Sequence, residues 1–531
     1  MALLQHMWGS TSLALVMFAV LLTDVPGKIC LSSKAVYNIW FHPLRNFPGP
    51  WYTKVSRIWY ILRVFQGCHK HEIKRLHDEY GLVVRIAPDE LSYIDPEAWN
   101  GIYVYGPVLT DHGIKGSVVH NNGSYPMEKD GDFFATAFGD SETLVGAKSA
   151  EYKVQKNNAV RVFSHGQLLQ KGDIILSHIE SFTRNLKVYL ENQNNESIDI
   201  DAWIGNLILD IHVKLTIGQN FHAIDKGSSS HPLVNTMHKT AKVLQYLTQL
   251  LYLPLSLSSL FNSQIFRRDI FTIFNRIPPL GTAITERLER MDAAENCVDL
   301  VYHMANDQKD GTIDHDTIKR NTLIVILSGI ETLPDYIGSV LYYTLESPAY
   351  FARLRDEIHT AFPTSEDISA EAVQNLKFLH ACMNESLRMA PPFVGTLPRR
   401  VPACGVSICG EFVGGGTTVG IHNWSATHSG RFWRDPERFC PDRWMDDPKY
   451  KDDTRQSFHP FGVGPRTCVA RNLVIIEASL ILARILFSFD MELELSRSHD
   501  WPKRNGHLVP NKRPLFVRVK ADKGEGNIAD V

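Results

Sequence analysis

Cysteine is scarce and scattered. Eight thiols in 531 residues make no C-x-x-C pair and no cluster with zinc-ligand spacing. That excludes a small disulfide-stapled fold and a structural zinc finger, and it suits reduced thiols in the cytosol. Charge of one sign is lacking too. A formal net charge of -3 gives the whole chain no pull toward nucleic acid or any other polyanion. There is no internal repeat and no long low-complexity tract, and no linker stands out between about 51 and 520. Long apolar runs are absent except near the start. With 44% hydrophobic and 21% charged residues, the chain can bury a large core.

The most apolar stretch is residues 12–22, SLALVMFAVLL. It is short for a bilayer span of about 20 residues. Adding its flanks from Met7 to Val25 reaches a marginal span that includes Asp24. No Lys or Arg precedes the run, whereas Lys28, Lys34 and Arg45 follow it. A secretory signal carries positive charge before its apolar core, and positive flanks stay in the cytosol. A retained transmembrane anchor over 1–27 is therefore expected, with a cleaved signal peptide as its rival. Residues 28–50 follow as a basic, Pro-rich stalk, in which Phe47-Pro48-Gly49-Pro50 favours stiff extended backbone. The N-x-S triplets at Asn122, Asn195, Asn384 and Asn423 matter only to a chain that faces the lumen.

Helical periodicity dominates from about Val154 to Met389. Short β-like pieces flank it at 82–86, 406–408, 417–420 and 515–519. The expected fold class is mainly α with small β-sheets, in one catalytic domain over 51–525 with a tail over 526–531.

One segment carries chemistry. From Phe461 the chain reads F-G-V-G-P-R-T-C-V-A-R-N and then enters an apolar helix from Leu473 to Phe489. A lone cysteine is usually a small buried hydrophobe. The pattern F-x-x-G-x-R-x-C-x-A, however, arises by chance in roughly one chain of this length in ten thousand. A metal thiolate needs ionised sulfur, which N–H donors and a helix N-terminus favour. Gly464 permits a tight turn beneath the sulfur of Cys468. Arg466 can reach a carboxylate by a charge-assisted bond, and Ala470 is small enough to lie against a flat ring.

This loop resembles the haem-binding signature of cytochromes P450, in which a cysteine thiolate is the axial ligand of haem iron. The resemblance extends along nearly the whole chain and implies the cytochrome P450 fold preceded by an N-terminal membrane anchor helix. Glu385-Ser386-Leu387-Arg388 matches the family's E-x-x-R helix, although such a pair alone would be a surface ion pair worth little. Two neighbouring boxes offer its partner, Pro436-Glu437-Arg438-Phe439 and Pro441-Asp442-Arg443-Trp444. The second is preferred, because Asp435-Pro436 and Phe439 supply the D-P-x-x-F that precedes the box in the family. By the same resemblance Phe461, Gly464, Arg466, Arg399 and Lys156 bind the cofactor, haem b, and Cys468 binds its iron. Lys156 stands where the family has arginine, as a point charge in place of a planar fork, and Tyr152 stands at the aromatic position before it.

Leu327-Ser328-Gly329-Ile330-Glu331-Thr332-Leu333-Pro334-Asp335 is similar to the family's oxygen-activating segment A-G-x-[DE]-T-[TS]. The resemblance implies that Gly329 leaves room for dioxygen. It also makes Thr332 and Glu331 the catalytic pair that supplies protons for O–O cleavage. Ser328, Leu333 and Pro334 depart from the pattern. Pro334 removes the hydrogen bond to the Ile330 carbonyl, and a kink there is expected.

The pocket is expected from about 107–131, 221–261, 392–397 and 506–509. Residues 250–255 (Leu-Leu-Tyr-Leu-Pro-Leu) are either core packing or a surface that dips into lipid. Phe41-His42-Pro43-Leu44, Glu79-Tyr80-Gly81 and 93–99 (YIDPEAW) are similar to fungal monooxygenases of secondary metabolism such as trichothecene hydroxylases. The implied partners are NADPH-cytochrome P450 reductase, with cytochrome b5 as a second electron donor, a lipophilic small molecule and the endoplasmic reticulum membrane. No nucleic acid is implied. NADPH acts only through the reductase. Three functions compete: oxidation of a terpenoid, polyketide or alkaloid-like intermediate, a rearrangement, dehydration or ring coupling without net oxygen insertion, and a haem sensor or electron carrier without turnover.

Overall fold

The computed structural model describes residues 33–104, 127–137, 143–192, 196–227, 229–250, 278–290, 299–308 and 314–521. The anchor expected over 1–27, the tail, and the parts 107–126 and 251–261 of the expected pocket stretches lie outside the described residues. The longer helices are α1 (Ser149–Val162), α2 (Gly172–Glu191), α3 (Ile200–Ile217), α4 (Pro232–Leu250), α5 (His315–Leu345), α6 (Pro348–Ala361), α7 (Lys377–Met389) and α8 (Arg471–Ser488).

Helix α5 is the spine of the molecule. Asp314 caps it by accepting the Thr317 N–H at 2.6 Å, which satisfies one of the otherwise orphaned first-turn donors. Thirty-one residues give it a length of about 45 Å. It is long and apolar enough to cross a membrane, yet 83% of its most apolar window is buried inside the protein. It is a core helix, hydrophobic nearly all round. Helices α3, α6, α7 and α8 pack along it. Pro334 does not end it: the helix runs on to Leu345.

The strands are β1 (Val83–Ala87), β2 (Glu90–Tyr93), β3 (Ile198–Asp199), β4 (Arg399–Arg400), β5 (Val406–Ile408), β6 (Glu411–Val413), β7 (Thr418–Ile421), β8 (Phe489–Leu493) and β9 (Phe516–Ala521). They form one sheet in the order β1-β2-β7-β4, a second in the order β3-β9-β8, and a β5-β6 hairpin. Strand β2 runs parallel to β7, with Leu91 opposite Val419. A second, smaller core gathers Leu91, Tyr93, Ile102, Tyr103, Val419 and Ile421 around this sheet.

The segment expected as a stiff, Pro-rich stalk is docked on the domain from Asn38 onward. Leu44 and Phe47 are buried, each worth about 2 kcal/mol of apolar burial. The sealed Arg85 side chain donates to the carbonyls of Asn38 and Leu44 at 3.0 and 3.3 Å. Gly49 sits at φ +148°, and a Cβ there would lie 2.7 Å from the Arg85 carbonyl. The prolines thus shape a docked turn, and the folded unit begins upstream of residue 51.

Candidate active site

The cysteine loop is folded by its own backbone. Gly464 adopts φ +74°, and a Cβ on it would lie 2.5 Å from the Tyr103 carbonyl, so only glycine fits. Thr467 donates both its N–H (3.1 Å) and its hydroxyl (2.7 Å) to the Gly464 carbonyl. The Cys468 N–H closes the loop on the Phe461 carbonyl at 2.9 Å. Tyr103 braces the arrangement from the sheet side: its hydroxyl donates to the Leu397 carbonyl at 3.0 Å and accepts the Ile421 N–H at 3.1 Å.

Cys468 is exposed, yet its thiol lies deep among protein atoms. Both hold for a sulfur that looks into an open space within the molecule. Burial pushes its pKa up, while the Ala470 N–H and the Arg471 charge pull it down. Those donors stand at the N-terminus of α8, where backbone dipoles favour an anion.

Around this loop stands a cluster of cations. Arg466 lies 3.6 Å above the Tyr152 ring and donates to the Ala147 carbonyl at 2.7 Å. Arg399, on β4, lies 4.9 Å above the Tyr103 ring. Lys156 and Tyr152, both on α1, donate to the Pro465 carbonyl at 2.6 and 3.0 Å. Lys156 is therefore brought to the residue beside Arg466. Lys129 joins the group, its ammonium 4.6 Å from the Phe134 ring and bonded to the Val145 carbonyl.

These charges press on one another. Burial, with Arg466 as the chief repelling charge, holds the Arg399 guanidinium down at about 10. Burial, then Arg399 and Arg466, lowers the Lys129 ammonium well below its usual range. Glu128 is the acid that acts on all three. Arg399 Nε and Arg466 Nη1 are sealed from water and have no hydrogen-bond partner among the described residues. Orphaned cationic donors are costly unless an anion completes them. Two carboxylates, such as haem propionates carry, fit this cluster, and a single thiol facing open space fits an iron held by a porphyrin.

Sequence reasoning missed Lys129. Its backbone pairs with Arg399, a contact across 270 positions that no local pattern announces.

On α5, Ser328 is exposed, and Val325 and Thr332 are half-open; from Asn321 onward the rest of the helix is buried apart from half-buried Glu331. Spacings of three, four and seven put them on one face. Thr332 donates its hydroxyl to the Ser328 carbonyl at 2.8 Å. Gly329 does not open onto this space. One helical step away, it is buried against α3, and a Cβ there would lie 1.9 Å from His212 Cε1. The room expected there for dioxygen is filled by an imidazole, which itself meets Glu477 of α8 at 3.2 Å. Glu331 turns away from solvent and accepts from His238 Nδ1 of α4 at 2.6 Å. Its backbone carbonyl accepts from Lys512 at 2.6 Å, and Lys512 also pairs with Asp335 at 2.8 Å.

Behind the loop, Arg388 forks onto both oxygens of Glu385 at 2.8 and 2.9 Å. Arg443 Nε adds a third bond to Glu385 at 3.0 Å. The other box is excluded by geometry: Arg438 is exposed and offers only its carbonyl, to Arg388 at 2.9 Å. Trp444 Nε1 and the Cys440 N–H also donate to Glu385, at 3.0 and 2.9 Å. All three charged side chains are sealed from water, so the network is a scaffold, with no open face for a reactant.

Comparison with known proteins agrees with this geometry. Residues 108–518 match the family described as Cytochrome P450. The chain is 30% identical to cytochrome P450 monooxygenase astJ of Aspergillus oryzae, over 92% of this chain and 94% of that protein. It is also 30% identical to cytochrome P450 monooxygenase aclL of the same fungus, over 94% and 98%. To cytochrome P450 monooxygenase lcsI of Purpureocillium lilacinum it is 29% identical, over 92% and 91%. A match of this extent, on a fold whose cysteine loop and buried network are intact, shows that the chain belongs to the cytochrome P450 family and is a monooxygenase.

Proposed function

We propose that this monooxygenase hydroxylates or otherwise oxidises a lipophilic intermediate of fungal secondary metabolism, with Cys468 as the iron ligand. The observation that carries the reading is the Cys468 thiol, held at the N-terminus of α8 and facing an open space beside cationic donors that are unpaired among the described residues. Haem bound there supplies the one-electron and oxygen chemistry that side chains lack. The chain's own residues do the rest. Arg399, Arg466, Lys156 and Lys129 would hold the haem propionates by charge-assisted bonds. Phe461 and Gly464 shape the loop under the sulfur. Ser328 and Thr332 line the open face of α5, and Glu331, beside Thr332, handles protons for that face.

Electrons come from NADPH through a separate reductase, with cytochrome b5 as a second donor. The proposed location is the endoplasmic reticulum membrane, with a single span and the catalytic domain in the cytosol. Exposed Tyr37, Trp40, Phe41 and Trp51 support it, because aromatic side chains favour the membrane interface.

A reduced, haem-loaded sample under carbon monoxide is expected to show the long-wavelength Soret band of a thiolate-ligated haem, and Cys468→Ala is expected to lose it. A folded, loaded variant that kept the band would overturn the assignment. Incorporation of labelled dioxygen into the product separates oxygen insertion from rearrangement. Comparing the metabolites of a deletion strain with those of its parent identifies the substrate.

A further inference from the structure

Helix α4 sets a titratable side chain directly against Glu331. His238 Nδ1 meets Glu331 Oε1 at 2.6 Å, with the two side chains only 20% and 12% exposed. Because a carboxylate only accepts, the imidazole donates here. The imidazole side chain keeps 20% of its surface exposed, and no second partner for it stands among the described residues. The ring therefore reaches from an accessible surface to the acid.

Its orientation is fixed by the helix that carries it. Gln245 and Gln249, seven and eleven positions on, share its face of α4. Gln245 Oε1 accepts the N–H groups of His507, Leu508 and Val509 at 3.3, 3.0 and 3.3 Å. Gln249 Nε2 meets His507 Nε2 at 2.8 Å. These bonds pin α4 to the 506–509 segment.

The charged groups around the pair are few and mostly engaged. On α5, Glu331 is the partner itself. Lys512 and Arg504 both bind the Asp335 carboxylate, at 2.8 and 2.7 Å. On α3, Asp210 accepts the Ala223 and Ile224 N–H groups, and His212 faces Glu477. On α4 itself, Lys239 and Lys242 are exposed. The helix Ile58–Phe65 meets α4 through the stacked Phe65 and Tyr246 rings, two turns from His238, and carries Arg63. The helix Gly131–Ala137 brings Asp132.

The residue type decides what the contact can do. A lysine or arginine here would hold Glu331 as a carboxylate and release no proton near neutrality. An imidazole exchanges protons in that range and has two nitrogens to do it with.

We propose that His238 is the solvent-side end of a proton route to the open face of α5, a positioning residue that acts through Glu331. One proton is taken from water at Nε2, and one leaves Nδ1 for Glu331 Oε1. The ring ends uncharged as it began, and its tautomer is restored by exchange with water. Glu331 passes the proton toward the Thr332 hydroxyl. No electrons move in these steps. The inference rests on the reading of Glu331 and Thr332 as the proton-handling pair.

The test needs no natural substrate. With reductase, NADPH and oxygen alone, peroxide forms as O2 + NADPH + H+ → H2O2 + NADP+, which consumes protons. His238→Gln keeps a donor for Glu331 but cannot relay, and His238→Lys keeps a charge but holds its proton. Both are expected to slow peroxide formation roughly tenfold at neutral pH, to raise its solvent deuterium isotope effect, and to flatten its pH profile. A merely structural role would leave the profile and the isotope effect as in the parent. In the resting protein, the infrared carboxylate band of Glu331, assigned by its loss in Glu331→Gln, is expected to shift once His238 is glutamine. If Glu331→Gln slows the reaction but both His238 variants keep the parent's profile and carboxylate band, the route through His238 is overturned and the Glu331 reading stands. If Glu331→Gln and Thr332→Ala change nothing, that reading falls, and the route with it.

Discussion

Gly329 and His212 occupy one another's space: the imidazole lies where the side chain of any other residue at 329 would be. A Cβ at that position would come within 1.9 Å of His212 Cε1 and 2.2 Å of Nδ1, and His212 cannot withdraw without leaving Glu477. Gly329→Ala is therefore expected to cost about 1–3 kcal/mol of stability through overpacking. Thermal unfolding of the haem-loaded protein measures this. An unchanged melting temperature would mean that α3 and α5 separate freely, against the packing described.

The basic cluster makes a prediction about cofactor chemistry. Arg466→Met and Lys129→Met each remove a cation from a site with orphaned donors, so each is expected to weaken haem retention. Haem esterified at both propionates is the control. Native protein is expected to retain the ester less well than free haem, and the Arg466→Met, Lys129→Met double variant to retain the two about equally. A double variant that still preferred free haem by the native margin would remove these residues from propionate binding.

Buried imidazoles set the acid limit of the fold. Burial holds His77 down at about 4 and His507 at about 3, and it also pushes His69, His422 and His428 down. A histidine whose pKa is lower folded than unfolded binds fewer protons in the folded state. Stability is then fullest above the unfolded value of about 6.5 and declines as pH falls below it, until the folded value is passed. His77 alone accounts for roughly 3 kcal/mol of that decline. Melting temperatures measured from pH 7.5 down to 5 are expected to fall, and His77→Gln is expected to make the fall shallower. A flat profile in the parent protein would contradict the buried, uncharged imidazoles.

Much of the chemistry was legible in the residues, because it is local. The cysteine loop, the E-x-x-R turn and the β5 and β9 strands each declare themselves within a dozen positions. The choice of Arg443 over Arg438 was also legible, since the D-P-x-x-F spacing set the register that the Glu385 bond displays. What was not legible depends on distant pairing. Strand β2 went unread because Glu90-Leu91-Ser92-Tyr93 is buried on both faces and so lacks the alternation of a half-exposed strand. Lys129 belongs to the site through β4, and His238 through α4, and each is an unremarkable lone residue in its own neighbourhood. The docking of the 28–50 segment was not legible for a related reason. Proline-rich composition reports stiffness, while docking was decided by Leu44, Phe47 and the remote Arg85.

Tyr103 ties the ligand loop to the order in which the chain can assemble. Its hydroxyl reaches partners 294 and 318 positions away, and its carbonyl is the wall against which Gly464 turns. Contacts of such long range are entropically expensive and form late. The cradle for the sulfur is thus completed only when the first fifth of the chain comes home to the last, and iron arriving before that finds a cysteine but no socket.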